Sequence, residues 1–237
     1  MSSTLLSKTL DKPVSSKVKI ALHHRVLSFD IGIRNLAYCI LQKTEDLADI
    51  ICWELVDLQY YLTCEECHQT ATRVTSTNIL LCTDHSKKSD TSEASVCRSK
   101  EYRYIALHKF LKQNKKIFAS VDHVIIENQT RANFIMRSMQ EVLYAWFVYH
   151  NINHKQVIKF IHPSYKLKSI VTPKDVTPKS RYRYLKKASI EYATRLIKTE
   201  ICDEHWESYL ATLRKKDDLC DCFLQGIGYI RWICYSE

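Results

Sequence analysis

Apolar residues cluster along the chain in short runs, then in longer periodic stretches. Arg25 to Phe29 is a short apolar run that ends on Asp30, and Leu36 to Leu41 and Ile50 to Leu58 follow it closely. The turn Ile31-Gly32-Ile33-Arg34-Asn35 separates the first two. Three strands joined this tightly predict an antiparallel meander. Val124-Ile125-Ile126-Glu127 and Val157 to Ile161 are two further runs of strand length. Helical spacing of apolar residues predicts helices over Tyr102–Lys116, Asn133–His150, Tyr182–Thr199 and Asp217–Cys234. The stretch from Ser164 to Ser180 carries Pro173 and Pro178 and is expected to be an exposed loop. Three strands followed by alternating helices and strands predict an α/β fold, a mixed sheet flanked by helices.

Residues 60–99 interrupt this order. They are polar, rich in Thr and Ser, and hold Cys64-x-x-Cys67 and Cys82-x-x-His85, with fourteen residues between the two hooks. Two short hooks at that separation fit a tetrahedral, structural Zn²⁺ site, with His68 or Cys97 as substitutes for one ligand. The expected organisation is a basic leader over 1–24 and one domain over 25–237, interrupted by this small zinc-binding insertion.

Charge sharpens the picture. The chain has 237 residues and a net charge of +9. Residues 159–198 hold eleven Lys or Arg against two acids, so the whole excess lies there. A basic segment this dense predicts a polyanion partner, most simply nucleic acid, against the plainer reading of a solvated face. Glycine occurs only three times, which excludes the glycine-rich phosphate loops. The longest apolar run, Val142 to Tyr149, is far below the roughly 20 residues of a membrane helix, so no membrane association is expected. With no secretory signal, the ten cysteines read as reduced thiols plus one metal cluster.

The acids carry the candidate chemistry. Asp30 and Glu127 end apolar strands, and Asp218 and Asp221 share a helix face, with Asp217 beside them. A carboxylate next to a buried run is costly unless compensated, and divalent cations such as Mg²⁺ or Mn²⁺ compensate it through hard oxygen ligands. Two ions can then activate water and stabilise the leaving oxygen of a phosphodiester. Each acid alone also fits a turn, a helix cap or an ion pair.

Four segments resemble the motifs of RuvC-type Holliday junction resolvases, most closely the branch of poxviruses and related large DNA viruses, with mitochondrial cruciform-cutting endonucleases as cousins. They are Phe29-Asp30-Ile31-Gly32-Ile33-Arg34-Asn35, Ile125-Ile126-Glu127-Asn128-Gln129-Thr130-Arg131, Ser180-Arg181-Tyr182-Arg183-Tyr184-Leu185-Lys186-Lys187 and Lys216-Asp217-Asp218-Leu219-Cys220-Asp221. The resemblance covers about 25–58 and 100–235. It implies an RNase H-like fold and a homodimer that makes paired symmetric nicks in four-way branched DNA. It also implies two Mg²⁺ or Mn²⁺ per active site on Asp30, Glu127, Asp218 and Asp221. A catalytic lysine is implied at Lys186, with Lys187 as the alternative.

Asn35, Gln129 and Arg131 lie inside the motifs, and with Arg181, Arg183 and Lys187 they are candidate DNA contacts. Tyr182 and Tyr184 suit stacking on unpaired bases or simple packing. Gly32 suits either close approach of a DNA backbone or a tight turn. The zinc hooks precede Glu127, whereas they usually follow the glutamate in transposon- and guide-RNA-type RuvC nucleases. Two other readings stay open. One is an RNase H-like nuclease of flaps or RNA–DNA hybrids, and the other is a non-catalytic zinc-containing DNA-binding protein. The closest resemblance implies a cytoplasmic viral replication site, with mitochondria or nucleus as alternatives.

Overall fold

Five strands form the central sheet in the order β3-β2-β1-β7-β8. The computed structural model describes residues 21–88, 93–130, 132–151, 155–168, 170 and 177–233. Strands β1 (Arg25–Ile31), β2 (Asn35–Lys43) and β3 (Ala48–Asp57) make the expected antiparallel meander. After the insertion, β7 (His123–Glu127) pairs parallel to β1, and β8 (Val157–Ile161) parallel to β7. The sheet is therefore mixed. Its two central parallel strands, β1 and β7, are apolar because helices cover both faces.

Side chains alternate across the sheet, and this sorts the core into two layers. Leu27, Phe29, Val124 and Ile126 face α2 (Lys100–Gln113) and α4 (Phe134–His150), where they meet Phe110, Leu143 and Phe147. Val26 and Ile125 face the other way, towards α6 (Pro178–Leu196) and α8 (Asp217–Gly228), where they share a core with Ala193, Phe223 and Ile227. Asp30 and Glu127 belong to this second layer by the same alternation.

The insertion has its own small sheet, ordered β5-β4-β6, built from β4 (Arg73–Thr75), β5 (Leu80–Leu81) and β6 (Glu93–Ser95). A single helical turn, α1 (Thr83–Ser86), follows β5. Gln59 Nε2 donates to Ala71 O at 2.9 Å and Tyr102 Oη to Asn78 O at 2.7 Å, tying the insertion to the core.

Several boundaries differ from the sequence pattern. The helix expected over 102–116 is α2, followed by a separate turn α3 (Lys115–Phe118) beyond Asn114. The stretch expected as a loop from Ser164 holds α5 (Ser164–Leu167), which packs on α8. Proline density hid this turn, because Pro163 and Pro173 flank it. Helix α7 (Glu204–Thr212) was not anticipated. Asp203 caps it by accepting from the backbone N–H of His205 and Trp206, and Trp206 Nε1 donates to Ile50 O at 3.0 Å. The last helix leaves regular α geometry at Tyr229, and Cys234 lies outside the described residues, as does most of the leader over 1–24.

Candidate active site and metal centre

The sheet register brings the first two acids together. Phe29 pairs with Ile126 across parallel strands, so the next residues, Asp30 and Glu127, end neighbouring strands on one face. Helix α8 crosses that face and presents Asp221. Its other acids, Asp217 and Asp218, occupy its first turn, where carboxylates favour the helix dipole.

A fourth group completes the cluster. Lys166 on α5 places Nζ 2.8 Å from Glu127 Oε2 and 2.8 Å from Asp221 Oδ2. Its side chain is only 11% exposed, so these ion pairs are shielded from bulk solvent. Gly228 makes the approach of α5 possible, because a Cβ there would lie 2.8 Å from Tyr165 O. Lys166 was missed because it stood in the expected loop. The available signal was topological: Glu127 pairs with Ile161 across parallel strands, so the chain leaving β8 must pass beside Glu127.

Electrostatics mark the cluster as short of positive charge. Burial pushes the Asp30 carboxyl well above the ordinary range; Lys166 opposes this, and Glu127, Asp221 and Asp218 add repulsion. Burial likewise raises Asp221, again opposed by Lys166. Burial disfavours the Lys166 ammonium, but Asp221, Glu127 and Asp30 outweigh it and hold the proton firmly. Buried carboxylates sharing one ammonium are a hard-oxygen donor set that suits a divalent cation.

The remaining candidates lie around this centre. Asp218 pairs with Lys215 at the rim, and Lys186 pairs with Asp217 instead of the central acids. Burial works against the Asp217 charge, but the Lys186 hydrogen bond prevails and lowers its pKa. Arg181, Tyr182, Arg183, Tyr184 and Lys187 are exposed on α6, and Lys187 reaches Glu191 at 3.6 Å. Asn35 opens β2, and Gln129 is half-buried beyond β7, its backbone N–H donating to Gln140 Oε1 at 2.6 Å. Arg131 lies outside the described residues. Gly32 serves the turn: a Cβ there would come 2.4 Å from Asn35 O.

The insertion gathers a second donor set. The ligand atoms of Cys64, Cys67, Cys82 and His85 all lie within 4.8 Å of one another. Cys67 Sγ and Cys82 Sγ are 3.8 Å apart, and His85 Nδ1 is 3.5 Å from Cys64 Sγ and 3.4 Å from Cys82 Sγ. Zinc bonds of about 2.3 Å to sulfur and about 2.0–2.1 Å to nitrogen, at tetrahedral angles, give edges of about 3.8 and about 3.5 Å. The residues fit that ion. Burial opposes ionisation of Cys64, but backbone N–H groups of Cys82, Glu66 and Cys67, with His85, lower its thiol to about 6. His68 lies outside the set, and the side chain of Cys97 is outside the described residues.

The sheet and its flanking helices form an RNase H-like fold of the kind found in Holliday junction resolvases. The yeast mitochondrial Holliday junction resolvase superimposes with a TM-score of 0.54 at 16% identity, over 90% of this chain and 80% of that one. The fowlpox virus resolvase, solved with Holliday junction DNA, superimposes with a TM-score of 0.49 at 17% identity, over 87% of this chain and 96% of that one. An uncharacterized protein of Acanthamoeba polyphaga mimivirus is 34% identical over 146 residues, 54% of this chain. The chain covers only 34% of that relative's length. No protein-family model matches the chain.

Proposed function

We propose that this chain is a metal-dependent endonuclease that resolves four-way DNA junctions. The observation that carries this reading is the convergence of Asp30, Glu127 and Asp221 at the ends of β1, β7 and on α8, in a fold shared with a junction resolvase. Asp30, Glu127 and Asp221 would hold Mg²⁺ or Mn²⁺, with Asp218 at the rim. When bound, such ions activate water and neutralise charge on the phosphodiester, giving 5′-phosphate and 3′-hydroxyl ends. Lys166 adds positive charge beside the same carboxylates. The exposed Arg181, Arg183 and Lys187 of α6, with Asn35, Gln129 and Arg131, would grip backbone phosphates, and Lys186 would orient the phosphate to be cut.

Paired nicks need two active sites, and a symmetric dimer supplies them. Helix α4 offers a face for a second copy. Phe134 and Tyr149, at its two ends and about 60° apart around the axis, are 70% and 77% exposed, with Ile135 and Val148 beside them. The double variant Phe134→Glu/Tyr149→Glu should convert a dimer to monomer in light scattering coupled to size exclusion; an unchanged mass would place the interface elsewhere.

The chain would act at a cytoplasmic viral replication site, with mitochondria or nucleus as the alternatives. Among the described residues no helix is long and apolar enough to cross a membrane.

The deciding experiment is cleavage of a labelled synthetic four-way junction in Mg²⁺ or Mn²⁺, beside linear duplex and an RNA–DNA hybrid. Paired symmetric nicks in the junction alone are expected. Preferred cutting of the hybrid would reassign the substrate. Tight junction binding with no cutting in either ion would identify a non-catalytic DNA-binding protein.

A further inference from the structure

Lys166 does more than neighbour the carboxylates. Its ammonium touches one oxygen of Glu127 and one of Asp221, each at 2.8 Å, and these two acids are the only ones it reaches at that distance among the described residues. Glu127 and Asp221 are also two of the acids that would hold a divalent ion. Mg²⁺ needs oxygen ligands at about 2.0–2.1 Å in a near-octahedral shell, which a resident ammonium obstructs both sterically and by repulsion. The ammonium is also not a loose surface group. Gly228 seats α5 against α8, and the side chain is 11% exposed. The Asp30 carboxyl feels the Lys166 charge, yet among the described residues no hydrogen bond joins the two. The position between Glu127 and Asp221 is therefore already taken by the ammonium.

We propose that Lys166 is a tethered cation filling one of two cation positions in the DNA-free protein, so that a single divalent ion binds tightly until the ammonium withdraws. This inference rests on the reading of the carboxylates as a metal site. A DNA phosphate is the natural alternative partner for the ammonium, because it offers the same anionic oxygens. Substrate would then complete the metal centre, and the DNA-free protein would be kept from full loading.

Counting Mn²⁺ on the DNA-free protein tests this without reference to cleavage. With the cysteine cluster kept zinc-filled, the protein is titrated with Mn²⁺ and the free ion is read by its electron paramagnetic resonance signal. The native chain should bind one tight ion per active site. Lys166→Met should bind two, its second ion at least about tenfold tighter than any second ion on the native chain. Lys166→Arg should retain a single tight ion, because it keeps the charge, and thermal melts confirm that each variant is folded. Two equally tight ions on the native chain, or one on folded Lys166→Met, would overturn the proposal. Absence of Mn²⁺ binding in all three would remove the metal site itself, and the proposal with it.

Discussion

Asp30→Asn is expected to reduce junction cleavage by at least about 10³-fold, the scale of losing a group that organises charge at the reacting phosphate. Junction binding should persist, since the basic face of α6 is untouched. The same variant should melt higher than the native protein when metal is absent. Burial and the neighbouring Glu127, Asp221 and Asp218 raise the Asp30 carboxyl well above its ordinary value, with Lys166 offsetting only part. A carboxyl raised on folding stabilises fully below its unfolded pKa, about 3.9, and that contribution is lost as pH rises through the folded value.

At neutral pH the Asp30 carboxyl is therefore a liability that asparagine, of the same shape, removes. In a chain of this size each kcal/mol moves the melting temperature by about 2–4 °C. Melts in chelator at neutral pH should show the variant ahead, and the gap should close towards pH 4. A variant that melts lower at neutral pH, or still cuts junctions, would detach Asp30 from the site.

Loss of zinc should have the second large effect, confined to the insertion. Among the described residues the core cluster at the insertion's hooks holds Cys64, Leu81 and Cys82, with Cys67 packed against it, while Ala71, Val74 and Val96 join the main core. So small a cluster cannot hold a fold without a further restraint. Structural zinc supplies about 10–16 kcal/mol of apparent binding energy in comparable small modules. Purified protein should contain one equivalent of zinc by elemental analysis; less than about half would count against the site. Cys64→Ser, or a strong chelator, should open residues 63–88 to protease while the central sheet stays resistant. Equal resistance with and without zinc would show that the insertion folds by itself.

Much of this arrangement is legible in the sequence. The meander follows from three closely joined apolar runs, and Asp30 and Glu127 stand at the ends of such runs; that they share a face depends on the register of Phe29 with Ile126. The cysteine hooks announce their own geometry. What the sequence concealed depends on tertiary placement. Lys166 reads as one basic residue among many in a proline-flanked stretch, and only the parallel pairing of β7 with β8 carries it to Glu127. Lys186 has the motif context of a catalytic lysine, but the packing of α6 beside α8 delivers it to Asp217. Helix α7 has too few turns for periodicity to stand out, and its Asp203 cap and Trp206 anchor emerge only against β3.

The antiparallel meander also fixes where the chain tolerates growth. Because β1 and β3 run the same way, Asp57 and Asp30 lie on one rim of the sheet. The excursion that leaves at Asp57 and returns at α2 starts on the rim that carries Asp30. Closing a longer loop costs only logarithmically more in chain entropy. The rim can therefore be rebuilt in length and shape while the strand ends beneath it stay as they are. The length of the rim and the placement of the acids beneath it are in that sense separately adjustable parts of one molecule.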